Sequence, residues 1–85
     1  MRLDKFLKVS RLIKRRTLAK DVSDQGRIEV NGRVAKPSNE LKLGDIVTLN
    51  FGSRVIKVRV LRLEDNVRKD ESHEMYEIVD EFKLL

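Results

Sequence analysis

The chain has 85 residues, a formal charge of +5, no cysteine and 5% aromatic residues, which excludes a disulfide framework and a thiolate metal site and argues against a base-stacking single-strand binder. A single small domain over residues 1–85 is expected, burying only ~60% of the surface its unfolded chain would expose. No apolar run is long enough to span a bilayer, and charges interrupt the N-terminal hydrophobics where a secretory leader is continuous, so the expected location is cytoplasmic.

Leu3, Phe6 and Leu7 recur at i, i+3 and i+4, which predicts a helix over about 2–9 with Arg2, Lys5 and Lys8 on its other side. Asp4 falls in the first turn, where a carboxylate complements the helix dipole. Ser10 to Lys14 reads as a connection, with Leu12 and Ile13 tucked beneath it. Leu18, Ala19 and Val22 supply the buried stripe of a second helix over about 15–25, closed by Gly26. Neither helix is long enough to be stable alone, so both must dock on a partner surface.

That surface is a sheet. Ile28 and Val30 alternate with Arg27 and Glu29, and Asn31-Gly32 is a strong hairpin signal. Val34 and Ala35 begin the return arm, Pro37-Ser38 ends it, and Leu41 and Leu43 are expected to be buried before a Gly44-Asp45 turn. Ile46, Val47, Leu49 and Phe51 form another strand that turns at Gly52-Ser53. The arm over 55–63 then places Ile56, Val58 and Val60 on one face and Lys57 and Arg59 on the other. Residues 65–74, nearly all polar, read as a mobile loop, and 75–82 as a last strand with Tyr76 and Ile78 on one face. Phe6, Phe51, Tyr76 and Phe82 are expected in the core. The fold class is α+β: two short N-terminal helices packed on a small, mostly antiparallel twisted sheet.

Charge is sorted along this framework. Arg2, Lys5, Lys8, Arg11, Lys14, Arg15, Arg16 and Lys20 face Asp4 alone in the first twenty residues, whereas from Glu64 onward eight acids outnumber Arg68, Lys69 and Lys83. Ordinary soluble surfaces intersperse their signs, so the N-terminal end is the one expected to meet a polyanion. The start of the second helix would add unsatisfied N–H groups to that cationic cluster, and arginine can grip a phosphate bidentately. The plain alternative is a solvated basic face with no partner. Lys57 and Arg59 read as the exposed side of a strand, with a second contact to the polyanion as the sharper alternative.

RLDKFL at 2–7, SR at 10–11, KRR at 14–16, LAKDVSDQGRIEVNG at 18–32, KPS at 36–38 and LGDIV at 43–47 together resemble the RNA-binding domain named after ribosomal protein S-four. The resemblance covers roughly the first fifty residues, leaving a strand extension and acidic tail over 51–85. It implies that two helices and the following hairpin form the αL motif, which binds folded RNA. The opening RLDKFL and the combination VNG…AKPS are most similar to the free-standing group of heat shock protein fifteen and the RqcP-type P-site factors of ribosome-associated quality control. That likeness implies binding to a large ribosomal subunit still carrying stalled peptidyl-tRNA, with contacts to rRNA and P-site tRNA. It also implies support of C-terminal alanine tailing by an RqcH (NEMF-type) partner.

Carried over position by position, the family pattern points to Arg2, Asp4, Lys5, Arg11 and Arg16, to Asn31-Gly32 as the turn, and to Lys36 beyond it. Arg16 matches the arginine that begins the family's second helix. Asp4 is expected to orient a neighbouring arginine, because a carboxylate facing phosphate is repulsive. The sequence departs from the family at Arg15, where relatives often carry a Ser or Thr cap worth ~1 kcal/mol. Catalysis is not expected: one histidine, no cysteine and no Gly-rich phosphate loop leave no nucleophilic constellation, and His73 lacks companions for a metal set. No cofactor is implied, and a monomer is expected. Two competing readings use the same face: a general ribosome-assembly or RNA-chaperone module, and an adaptor for proteins or anionic membranes.

Overall fold

In the computed structural model, which describes residues 1–13, 26–52 and 54–83, the apolar stripe of Leu3, Phe6 and Leu7 forms the buried side of helix α1, Leu3–Val9. The second expected helix, and with it Lys14, Arg15, Arg16 and Lys20, lies outside the described residues. Arg2 occupies the N-cap position of α1 without a capping side chain. The orphan N–H groups of the first turn are instead taken by the loop after the hairpin. Leu3 N–H donates to the Asn39 carbonyl at 2.8 Å and Asp4 N–H to the Pro37 carbonyl at 3.1 Å. The helix is therefore tied to residues 37–41 by backbone acceptors, which the donor-only Arg2 side chain could not supply.

Five strands follow: β1 Ile28–Val30, β2 Arg33–Val34, β3 Ile46–Asn50, β4 Arg54–Val60 and β5 Tyr76–Lys83. They make one antiparallel sheet in the order β2-β1-β3-β4-β5. Asn31 and Gly32 turn β1 into β2 with φ of 54° and 83°, the pair of positive values that a two-residue hairpin loop requires. The Asn31 side chain does more than allow the turn. Its Oδ1 accepts from Ile46 N–H at 3.0 Å, and its Nδ2 donates to Asp45 Oδ1 at 3.1 Å. Asp45 Oδ2 in turn accepts from Lys42 N–H at 2.9 Å, so one amide fastens the hairpin to the turn that leads into β3.

The core lies between α1 and one face of the sheet. Leu3, Phe6 and Leu7 meet Ile28, Val47, Leu49, Ile56, Val58 and Val60, with Ile13, Ala35, Leu41 and Met75 closing the margins. Each fully buried large aliphatic or aromatic side chain contributes about 1.5–3 kcal/mol relative to exposure, which is what holds so short a helix in place. Two expected core residues are not there. Leu43 is 65% exposed and Phe82 is 42% exposed. Leu43 precedes the left-handed Gly44 of a tight turn that projects it from the sheet, and Phe82 lies on β5, an edge strand, opposite Val55.

The segment expected as a mobile loop is a loop with fastenings. Val67 packs against the core, Ser72 is buried and donates from Oγ to the Lys69 carbonyl at 2.9 Å, and a 3-10 turn over Ser72–Met75 buries Met75 completely. Arg62 bridges the two ends, reaching Glu64 Oε2 at 2.6 Å and Glu74 Oε2 at 3.2 Å. The chain then returns as β5, so the acidic C-terminal stretch completes the sheet. A register shift between Lys57 and Val58 marks a bulge in the β4–β5 pairing.

Candidate nucleic-acid interface

Lys5 and Lys8 are i, i+3 neighbours on the surface of α1, with Arg2 at its N-cap and Arg11 just past its end. The structure brings Lys5, Lys8 and Arg11 to a single open cleft of roughly 600 Å³. Arg11 reaches it through an unusual backbone: just past the end of α1 it adopts φ 62°, the left-handed position where glycine or asparagine is the common choice. Its N–H still closes on the Lys8 carbonyl at 3.0 Å. Among the described residues neither Lys8 nor Arg11 has an ion pair. Lys5 Nζ lies 3.2 Å from Asp65 Oδ1.

Asp4 is 3% exposed, accepts from Lys5 N–H at 2.9 Å and lies 3.4 Å from Arg2 Nε. That geometry suits a carboxylate that sets the direction of Arg2 at the start of the helix. Lys36 is exposed on the loop that receives the first N–H groups of α1, but does not line the cleft. Asn31 borders a different depression, together with Arg33, Glu40, Lys42 and Asp45. There the charges are mixed, and the Asn31 amide is spent on backbone and Asp45. The hairpin and the α1 cleft are thus separate surfaces.

Three arginines of β4 and its exit are neutralised. Arg54 faces Glu81 at 3.8 Å, Arg59 meets Glu77 at 2.8 Å, and Arg62 holds Glu64 and Glu74. The hydrogen bond to Glu64 is the largest influence on the Arg62 guanidinium; desolvation opposes it, the negative charges of Glu64, Glu74 and Glu71 add to it, and the net effect is a rise above the ordinary range. The acids of the second half therefore serve the arginines of β4 and its exit, and the sheet offers less free positive charge than its composition implied. Opposite α1, the cleft has a wall that the sequence alone does not assign: Asp65, Asn66, Val67 and Arg68. An apolar Val67 followed by two cations inside an acidic run was the one available signal.

Residues 1–47, the span that contains α1, the hairpin and the entry to β3, match the S4 domain. This chain belongs to the S4-domain family. The S4-domain protein is 58% identical over 84 residues to the RQC P-site tRNA stabilizing factor of Bacillus subtilis, covering 99% of this chain and 98% of that protein. It is 52% identical to the factor of the same name from Streptococcus pneumoniae, over 99% and 96% of the two chains. Among solved structures it is similar to the trimeric heat shock protein 15 of Vibrio cholerae, with TM-score 0.86 and 31% identity over 93% of this chain and 81% of that one.

Proposed function

We propose that this S4-domain protein acts in ribosome-associated quality control by binding the large ribosomal subunit that carries a stalled peptidyl-tRNA, holding rRNA and P-site tRNA with the cationic face of its N-terminal half. The observation that carries the reading is the gathering of Lys5, Lys8 and Arg11 in one open cleft of an S4 domain. The near full-length likeness to proteins named for stabilising P-site tRNA supports it. Arg2, oriented by Asp4, and Lys36 extend the face beyond the cleft. Lys14, Arg15, Arg16 and Lys20, which the sequence assigns to RNA binding, lie outside the described residues. The whole chain serves as one RNA-binding unit, with Asn31-Gly32 in a structural part.

Phosphate oxygens are met by cations on a rigid support, which positions the protein by shape and backbone rather than by base sequence. No bond is made or broken. Preferential binding to one arrangement of tRNA and subunit is enough to keep it populated, and the reading extends to a supporting role in alanine tailing by an RqcH-type partner. The factor acts as a monomer in the cytoplasm and uses no cofactor.

The test is co-sedimentation with large subunits bearing peptidyl-tRNA. Arg16→Ala and the double substitution Lys8→Ala/Arg11→Ala are expected to weaken binding by about 1–3 kcal/mol for each phosphate that loses its cation, with the fold intact by circular dichroism. Binding of these variants at the wild-type level refutes the assigned face. Cross-links dispersed over many cellular RNAs would replace the ribosomal reading with the general RNA-chaperone one.

A further inference from the structure

The 65–68 segment lies outside the region matched by the S4 domain, which ends at residue 47, yet it forms the far wall of the α1 cleft. Four cations, Lys5, Lys8, Arg11 and Arg68, converge there against one carboxylate, Asp65. That carboxylate already occupies Lys5 at 3.2 Å, through a pair whose two side chains are both substantially exposed. The Arg68 guanidinium has no ion pair among the described residues. The wall is not loose. Val67, next to Arg68, packs half-buried against the core, the Arg68 carbonyl accepts from Glu71 N–H at 2.9 Å, and Arg62 clamps residues 64 and 74 together. A cation held in register across a gap from three others is the arrangement that a phosphodiester needs, with guanidinium and ammonium donors on both sides of its oxygens.

We propose that the cleft between α1 and the 65–68 segment is a two-walled seat for an RNA phosphate, in which Arg68 supplies a contact from outside the S4 domain. Asp65 holds Lys5 while the seat is empty and yields it when phosphate enters. This assignment rests on the RNA-binding reading above, and it makes the C-terminal half a participant in recognition rather than a counterweight of charge. Lys69, next in sequence to Arg68, does not line the cleft and serves as the matched control for a unit of charge.

The experiment is a titration of fluorescently labelled full-length protein with large ribosomal subunits carrying peptidyl-tRNA, read by anisotropy between roughly 50 and 200 mM KCl. Arg68→Ala is expected to weaken binding about tenfold and to reduce the steepness of the logarithmic salt dependence by about one. Lys69→Ala is expected to stay within about twofold of wild type, as a charge that does not touch phosphate directly. Asp65→Asn, which frees Lys5 from an exposed ion pair, is expected to tighten binding by about two- to fivefold. Equal losses from Arg68→Ala and Lys69→Ala, wild-type behaviour of Arg68→Ala, or an Asp65→Asn protein that binds no better than wild type each overturn the seat, while Lys8→Ala/Arg11→Ala still reports on the RNA-binding reading. Failure of the wild-type protein to bind at all overturns both.

Discussion

Arg11 combines a backbone conformation that disfavours it with a side chain placed at the cationic cleft. An L-residue with a Cβ is penalised by roughly 1–2 kcal/mol in the left-handed region, and glycine relieves that penalty at a helix end. Arg11→Gly is therefore expected to raise the unfolding free energy by about 0.5–1 kcal/mol in urea denaturation while lowering affinity for the large subunit. A variant that is both less stable and equally tight would show that Arg11 sits there for neither reason. At this scale the sequence was informative about chemistry and poor about geometry. The basic run was plain to see, and so was the pairing of a carboxylate at position 4 with a neighbouring arginine. The left-handed Arg11 had no signature, because glycine or asparagine normally marks such a position. Arg68 was masked by the acids around it, since only three-dimensional packing brings residue 68 opposite residue 8. Leu43 and Phe82 misled because hydrophobicity reports a tendency to be buried, not the presence of a neighbour to do the burying.

The hairpin and its anchorage illustrate how one side chain can decide an element. Asn31 satisfies a left-handed turn position, accepts from Ile46 N–H and donates to Asp45. Asn31→Ala removes both side-chain hydrogen bonds and leaves a Cβ at positive φ. The expected loss is about 1–3 kcal/mol in urea denaturation, with Gly32 unable to compensate because its own turn position is already filled. Asn31→Gly would keep the turn and lose only the anchorage, so it should fall between wild type and alanine. Strand positions were readable from alternation, and β1, β3 and β4 emerge where Ile28/Val30, Val47/Leu49 and Ile56/Val58/Val60 share a face. The fastening of residues 64–75 was not readable, because it depends on Arg62, Val67, Ser72 and Met75, residues scattered through a polar stretch that has no period. The absence of a side-chain cap on α1 was equally opaque: its donors are satisfied by backbone carbonyls much later in the chain.

Across the whole molecule, the two halves of the chain are sorted by charge and joined by one sheet. Carboxylates from the second half neutralise Arg54, Arg59 and Arg62, which leaves the α1 end as the electropositive pole. A field of that shape favours approach of an anionic surface from one side. The S4 match stops at Val47, inside β3, and β1 finds its inner partners at Val47, Thr48 and Leu49. The conventional module boundary therefore cuts through a strand. A fragment ending at residue 47 would keep α1 and the hairpin but lose Leu49, Ile56, Val58, Val60 and Met75, the greater part of the floor on which α1 rests. Such a fragment is expected to show no cooperative thermal transition by circular dichroism, whereas the full chain is expected to melt in a single step. Should the fragment melt cooperatively, the extension would be an appendage. Otherwise the heritable unit here is larger than the motif that identifies it, and grafting the motif alone onto another protein would transplant an inscription without the stone that carries it.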